Sequence, residues 1–240
     1  MKEETAARLR QLNQQFYEQV ADSFADSRER PQPGFALLLA WLPQPCQDVL
    51  DVGCGNGRFG QFLHKNGHPV TYTGVDNSIG LLTHARQLLP QGTFQQADMT
   101  CPGFLEGFGQ FDLIVCLAAM QHIPGQANRA RLLAEMADHL TENGRLFLAN
   151  WQFMNSPRQR RKVRDWSMVG LSAGDVEPND YLLTWQREGF GLRYVCQIDA
   201  EETAVLAQTA NLNILHQFRS DGKEGNLSLY TVMAKTKAKD

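Results

Sequence analysis

Apolar residues recur at helical spacing at Phe16, Tyr17, Val20, Ala21 and Phe24, which predicts an amphipathic helix ending before the breaker Pro31-Gln32-Pro33-Gly34. A second short helix is expected over 35–42. From Asp48 the pattern changes to strand, glycine turn, helix, strand, the mark of βαβ units and a mainly parallel sheet. Strands are expected at 48–52, 70–75, 93–96, 111–117 and 145–150, and helices at 58–66, 78–89 and 128–140. The third of these helices is expected to stop at Glu142-Asn143-Gly144. Beyond Asn150 the alternation fails, and 151–193, rich in Arg, Trp, Gly and Pro, reads as an insertion over the sheet edge. A helix over 200–210 and two strands near 214–218 and 227–233 then form a C-terminal antiparallel hairpin.

At 240 residues with ordinary apolar and charged fractions, the chain is sized for one large domain. A net charge of -3 argues against coating nucleic acid by bulk charge, so a polyanion would have to be met by a local patch. The N-terminal residues lack the apolar stretch of a secretion signal, and the longest apolar runs, 35–42 and 113–120, are too short for a bilayer. A soluble, cytoplasmic protein with no membrane partner is expected. The five cysteines, Cys46, Cys54, Cys101, Cys116 and Cys196, are scattered without a Cys-x-x-Cys pair, which predicts reduced thiols and no metal site.

The strongest chemical signal is Val49-Leu50-Asp51-Val52-Gly53-Cys54-Gly55-Asn56-Gly57, an apolar strand ending in an acid and three alternating glycines before a helix. Glycine permits the tight turn and close approach of backbone to a ligand, and the helix N-terminus offers unpaired N–H groups to an anion such as a carboxylate. Asp76 ends the next strand, nineteen positions beyond Gly57, where an acidic side chain can accept both hydroxyls of a ribose. Asp98 ends the third. Gly55-Asn56-Gly57-Arg58-Phe59-Gly60 also satisfies the G-x-G-x-x-G pattern of dinucleotide binders. Asp51 and Gly53 ahead of it, with Asp98 in register behind, favour a different cofactor, and Gly60 then serves helix-to-sheet packing. Bland alternatives are that Asp51 caps the glycine turn and that Asp76 caps the following helix.

From Val49 to about Asn150 the chain resembles the class I S-adenosylmethionine-dependent methyltransferases. The resemblance implies an α/β, Rossmann-like, doubly wound mixed sheet of seven strands with helices on both faces. It implies S-adenosyl-L-methionine as cofactor, bound by Asp51, Gly53, Cys54, Gly55, Asn56, Gly57, Asp76, Asn77, Asp98 and Met99. Asp76 would take the ribose and Asp98 the adenine amino group, with Met99 packed by the ring. Gln121-His122-Ile123 matches that family's loop beside the transferred methyl. One domain is expected: a helical cap over 1–46, the cofactor core over 47–150, an insertion for substrate over 151–198, and the C-terminal helix and hairpin over 199–240.

Three further segments resemble the methyltransferases that esterify a carboxymethyl group on the wobble uridine of tRNA. They are the stretch from Phe24 to Pro33, where Gln32 stands in place of that family's tryptophan, then Asn150-Trp151-Gln152, and Leu192-Arg193-Tyr194-Val195 before Asp199-Ala200-Glu201-Glu202. This resemblance implies tRNA as methyl acceptor, with a small activator protein as partner, since some members require one. The alternatives are a methyltransferase of a small metabolite (O-, N- or C-methylation) and a silent S-adenosylmethionine-binding module. A carboxylate acceptor is already ionised at neutral pH and needs no general base. Arg193 and Arg28 are then the residues to orient it through a planar fork, with Tyr194 as hydrogen-bond donor. His122 is read either as a general base or as a structural, substrate-shaping side chain. The dense run Arg158, Arg160, Arg161, Lys162, Arg164 and Trp166 is either a solvated face or a contact for phosphates and bases. Lys235, Lys237 and Lys239 read as a solubilising tail.

Overall fold

In the computed structural model, which describes residues 1–26, 30–185 and 190–236, a long helix α1 (Glu3–Asp26) and a short α2 (Pro33–Leu38) precede the first strand, β1 (Asp48–Val52). The chain continues as α3 (Arg58–Lys65), β2 (Thr71–Asp76), α4 (Ile79–Leu88), β3 (Thr93–Gln96), β4 (Phe111–Leu117), α5 (Gln126–Asp138) and β5 (Leu140–Trp151). There follow α6 (Pro157–Arg160), β6 (Val163–Arg164), β7 (Asp180–Trp185), β8 (Gly191–Cys196), α7 (Ala200–Thr209), β9 (Leu212–Ser220) and β10 (Ser228–Lys235).

Seven strands form one sheet in the order β3-β2-β1-β4-β5-β10-β9. The pairs β1/β2, β2/β3, β1/β4 and β4/β5 are parallel, and β10 is antiparallel to both β5 and β9. The mixed sheet and C-terminal hairpin agree with the sequence. Because the chain moves outward from β1 through β3 and then returns to β4 on the other side, the strand order reverses between β1 and β4. A crevice opens at the carboxyl ends of the strands at such a switch point.

Side-chain alternation sends each strand into two cores. Leu50 and Val52 of β1 join Ile114 and Cys116 of β4 under α5 and α7, whereas Val49 joins Leu113 and Val115 against α2, α3 and α4. A strand covered on both faces reads as a continuous apolar run, which is why Asp51 is conspicuous. Leu50 is fully buried, and truncating such a side chain to alanine typically costs 2–5 kcal/mol.

Two expectations need correction. The helix expected to end at Glu142-Asn143-Gly144 ends at Asp138, and β5 begins at Leu140, paired with Phe111. The register then breaks, with Leu113 opposite Arg145, so that 141–144 bulge out. Gly144 serves that bulge: a Cβ there would lie 3.1 Å from the Asp112 carbonyl oxygen. The second correction is that 151–193 is more than an irregular insertion, because β6, β7 and β8 form a separate three-stranded antiparallel sheet. β6 is only two residues long, and in β7 and β8 adjacent residues are buried, Leu182 with Leu183 and Tyr194 with Val195, so no period of two stands out. Among the described residues no helix is long and apolar enough to cross a membrane.

Candidate active site

A cavity of about 340 Å³ lies at the switch point, floored by the tips of β1, β2 and β4 and the residues following β3, and walled by α1, the end of β5, α6 and β8. The cofactor-side residues expected from the sequence that line it are Gly53, Cys54, Gly55, Asn56, Asp76, Asn77, Asp98 and Met99. Gly53 has φ +72°, and a Cβ on it would meet the Ala119 Cβ at 2.4 Å and the Met99 Cε at 3.0 Å, so no side chain fits. Gly55 has nothing within 4 Å of a built Cβ, which leaves its backbone open to the cavity.

Two carboxylates at strand tips are held by backbone donors. Asp76 accepts from the Gly55 N–H at 2.9 Å through Oδ2 and from the Ser78 N–H at 2.9 Å through Oδ1. Burial raises its pKa, and these N–H bonds oppose the rise. Asp98 Oδ1 accepts from the Thr100 N–H at 2.8 Å and its hydroxyl at 2.7 Å. Each carboxylate keeps acceptor capacity toward the cavity. An open glycine backbone beside two such acids suits a ligand carrying ribose hydroxyls, an amino group and a carboxylate.

Asp51 and Gly57 do not line the cavity. Asp51 lies beneath the loop and accepts a hydrogen bond from the Tyr72 hydroxyl. Burial pushes its pKa from the ordinary 3.8 up to about 7, with the Tyr72 bond opposing and the Asp76 charge adding. Gly57, in the left-handed region at φ 74°, caps the start of α3.

The opposite end of the cavity is built from segments far apart in sequence. Arg193 is only 3% exposed and sits among the rings of Trp151, Phe16 and Trp185, its Cζ 5.2, 5.3 and 5.6 Å from their centroids. It donates to the Tyr17 hydroxyl at 3.4 Å, its Nε has no partner, and it makes no ion pair among the described residues. Aromatic faces offset part of the cost of burying a cation. An enclosed guanidinium without a carboxylate remains expensive, and an anion placed against it would relieve that cost.

Adjacent residues on a strand point to opposite faces, so Arg193 facing the cavity turns Tyr194 away from it. Tyr194 is fully buried, and its hydroxyl donates to Asp180 Oδ1 at 2.6 Å. This corrects the expectation that Tyr194 donates to the acceptor. Its backbone instead anchors the site. The Tyr194 N–H donates to Asn13 Oδ1 at 2.8 Å, and its carbonyl accepts from Asn13 Nδ2 at 3.1 Å and from His122 Nδ1 at 3.2 Å.

His122 lines the cavity, between those two neighbours. A carbonyl can only accept, so Nδ1 carries the proton, and Nε2 accepts from the Tyr17 hydroxyl at 2.8 Å. The loop it occupies is pinned by buried Arg129, which donates to the Ile123 carbonyl at 3.0 Å, to Glu202 at 2.7 Å and to Glu177 at 3.0 Å.

Arg28 lies outside the described residues. Sequence reasoning passed over Arg10, Asn13 and Gln14 of α1, which with Tyr17 lie at i, i+3, i+4 and i+7 and so share one face of the helix. It also passed over Gln159, which carried no signal in a run of arginines. In that run Arg158, Arg160 and Arg161 are exposed, and the Lys162 pKa is lowered by partial burial and by the neighbouring charges of Arg193 and Arg158. Among the described residues no three His, Cys, Asp or Glu side chains are grouped to hold a metal.

A family model described as a methyltransferase domain matches residues 49–144. A protein of Encephalitozoon cuniculi named as a methyltransferase is 30% identical over 75% of this chain and 76% of its own length. The trans-aconitate 2-methyltransferase of Delftia acidovorans is 36% identical over 48% of this chain but only 42% of its own length. The tRNA (carboxymethyluridine(34)-5-O)-methyltransferase of Schizosaccharomyces pombe is 26% identical over 71% of this chain and 66% of its own. The fold is shared with an S-adenosylmethionine-dependent methyltransferase of Clostridium acetobutylicum, at TM-score 0.64, 14% identity, and coverage of 92% of this chain and 98% of that one. It is shared equally with an amino pentose methyltransferase of Micromonospora echinaspora, solved with S-adenosylmethionine bound, at TM-score 0.62, 17% identity, and coverage of 89% and 96%. Together with the strand order and the glycine loop, these likenesses place the chain: it belongs to the class I S-adenosylmethionine-dependent methyltransferases.

Proposed function

We infer that this methyltransferase esterifies a carboxylate, and that the carboxylate is a carboxymethyl group on a uridine of tRNA. The observation that carries the reading is Arg193, buried among three aromatic rings on the cavity wall with its Nε unpaired and no acidic partner among the described residues. A carboxylate against it would restore charge balance in a low-dielectric site. Two relatives point the same way by name: trans-aconitate is a tricarboxylate, and carboxymethyluridine carries a carboxyl.

Asp76 and Asp98 would hold the ribose hydroxyls and adenine amino group of the cofactor, and the Gly55 and Asn56 backbone its methionine end. When bound, S-adenosylmethionine supplies an electrophilic methyl on a sulfonium. This chain's own residues then have to orient the acceptor and exclude water. Arg193 fixes the carboxylate, Tyr17 and His122 shape the wall beside it, and Trp151 offers a flat apolar face. No proton needs removal from an ionised carboxylate, so positioning supplies most of the rate. The reaction balances simply: a carboxylate oxygen forms a bond to the methyl carbon as the carbon–sulfur bond breaks, leaving a neutral thioether.

The exposed Arg158, Arg160 and Arg161 beside the cavity favour RNA over a free metabolite. A small polycarboxylate is the second reading, favoured by the trans-aconitate relatives. The deciding measurement is transfer of labelled methyl from S-adenosylmethionine to bulk tRNA and, separately, to trans-aconitate, followed by mass spectrometry of digested nucleosides. A methylated carboxymethyluridine is the expected product. A methylated ring nitrogen or hydroxyl would overturn the carboxylate reading.

A further inference from the structure

The edge of the second sheet is closed by a single side chain of α1. β8 is the last strand in the order β6-β7-β8, and Asn13 pairs with it as a further strand would. The Tyr194 N–H donates to Asn13 Oδ1 at 2.8 Å, and Asn13 Nδ2 donates to the Tyr194 carbonyl at 3.1 Å. The second hydrogen on Nδ2 goes to the His122 carbonyl, also at 3.1 Å. Turning the amide over would set Oδ1 against two carbonyl oxygens and Nδ2 against an N–H, so its orientation is dictated by these partners. Asn13 lines the cavity, but it is only 6% exposed and both of its donor hydrogens are spent on backbone. It is built to hold segments of the protein together rather than to hold a ligand.

The segments it joins carry the wall around Arg193. His122 belongs to the loop after β4 and Tyr194 to β8, so one amide fixes α1 against the cofactor core and the second sheet at once. Phe16 and Tyr17 follow three and four positions later, on the same side of the helix. The Phe16 ring centroid lies 5.3 Å from the Arg193 Cζ, and the Tyr17 hydroxyl accepts from Arg193 at 3.4 Å and donates to His122 Nε2 at 2.8 Å. Phe16 approaches β8 so closely that a Cβ on Gly191 would lie 2.9 Å from its ring. Arg193 has no ion pair among the described residues to hold it in place. A slip of α1 is therefore passed directly to the guanidinium through the ring and the hydroxyl that α1 presses against it.

We propose that Asn13 is a positioning residue for methyl transfer: by docking α1 on the loop after β4 and on the edge of β8 with one amide, it sets the Arg193 guanidinium and the Tyr17 hydroxyl where the acceptor meets them. The inference rests on the reading that a carboxylate acceptor meets Arg193, and it adds the residue that holds Arg193 in register with the cofactor core.

The test is a double-mutant cycle on methyl transfer from S-adenosylmethionine. An anticodon stem–loop carrying 5-carboxymethyluridine and, separately, trans-aconitate are offered to wild type, and the cycle is run on whichever is methylated. Asn13→Ala is expected to lower kcat about tenfold or more at saturating acceptor, while S-adenosylmethionine affinity by calorimetry stays within about twofold and shows that the variant is folded. In the Arg193→Lys background the same change should cost less than about threefold, because the geometry it sets is already lost. A loss that multiplies in full with that of Arg193→Lys would mean that Asn13 does not act through Arg193, and a kcat equal to wild type would make it a structural residue only; either result overturns the proposal. Should Asn13→Ala fail to bind cofactor, Asn13→Asp, which keeps the shape and the Oδ1 acceptor, carries the same cycle. The ring nitrogen resonances of His122 give a readout that needs no acceptor: wild type should hold the proton on Nδ1, and Asn13→Ala should populate both tautomers. An unchanged tautomer in that variant would also overturn the proposal. If wild type binds S-adenosylmethionine but methylates neither acceptor, the carboxylate reading fails, and the tautomer alone decides the role of Asn13.

Discussion

The two ends of the cavity are built in opposite ways. At the end proposed for the cofactor, consecutive strand tips deliver Asp76 and Asp98, and backbone N–H groups already hold both carboxylates, those of Ser78 and Thr100 from just beyond each acid and that of Gly55 from the glycine loop. At the end proposed for the acceptor, Asn13, Tyr17, His122, Gln159 and Arg193 converge from four remote segments, and Gln159 and Arg193 each keep a buried polar atom unpaired. A site preorganised by its own backbone can hold one ligand in a family of many activities. On the proposed reading, a site assembled from the N-terminal cap and the second sheet, with hydrogen-bonding capacity left open, is where the individual acceptor would be chosen.

The comparison predicts that substitutions at the two ends separate cleanly in their kinetic signatures. The largest effect is expected from Arg193→Lys, which keeps the charge but loses the two-pronged geometry and the stacking of a planar cation on three rings. Turnover should fall by about 10²-fold, the scale of a misplaced reacting group, with S-adenosylmethionine affinity unchanged by calorimetry. If cofactor affinity falls in step with turnover, the two ends are one unit and the division above is wrong.

The reciprocal experiment is Asp76→Ala. It removes an acceptor at the cavity floor and also frees the Gly55 and Ser78 N–H groups that hold the loop. Binding of S-adenosylmethionine should weaken by about 2 to 3 kcal/mol, and single-turnover transfer at saturating cofactor should fall far less. Unchanged affinity would remove Asp76 from the site.

A smaller effect is expected beneath the loop. The folded-state pKa of Asp51 is raised to about 7 from an ordinary 3.8 by burial. A carboxyl raised in this way contributes stability while protonated, in full below about pH 4, and that contribution is lost as pH rises through about 7. The cofactor-free protein should therefore lose thermal stability between those limits. Asp51→Asn should flatten the decline and raise Tm at pH 8 by a few degrees, on a scale of about 2–4 °C per kcal/mol. A pH–Tm curve parallel to wild type would show that Asp51 is charged in the fold without penalty.

The same contrast explains what was legible in the sequence. The glycine turn, Asp76 and Asp98 are local signals, each tied to a strand that announces itself by an apolar run, so the sheet core and the cofactor end were open to reading. The second sheet was not, because β6 has two residues and pairs Val163 with the distant Leu183, while β7 and β8 bury adjacent residues and so lack the alternation that marks a hairpin. Arg193 stood out only through a family-like segment. The misreading of its neighbour Tyr194 came from treating adjacent residues as one functional pair, where strand geometry sends them to opposite faces. Asn13, buried on α1 between Leu9 and Phe16 and bonded to both Tyr194 and His122, is one of many polar residues on that helix, and spacing alone does not reveal those partners.

The smallest effect is expected at His122. A histidine acting as general base must present an unprotonated nitrogen to the acceptor, but here Nε2 faces the Tyr17 hydroxyl at 2.8 Å and the Nδ1 proton is directed at the Tyr194 carbonyl. An ionised carboxylate, with an ordinary pKa near 4, has no proton to give up. His122→Ala should therefore keep transfer within about threefold of wild type, losing only the packing of the wall and a hydrogen bond of about 1 kcal/mol. The wild-type rate should be flat from about pH 6 to pH 9, with no limb from a titrating base. Initial rates across that range, with wild type and variant side by side, decide the matter. A steep rise with pH that vanishes in His122→Ala would mean that the acceptor must be deprotonated, and it would move the chemistry from a carboxylate to a hydroxyl or an amine.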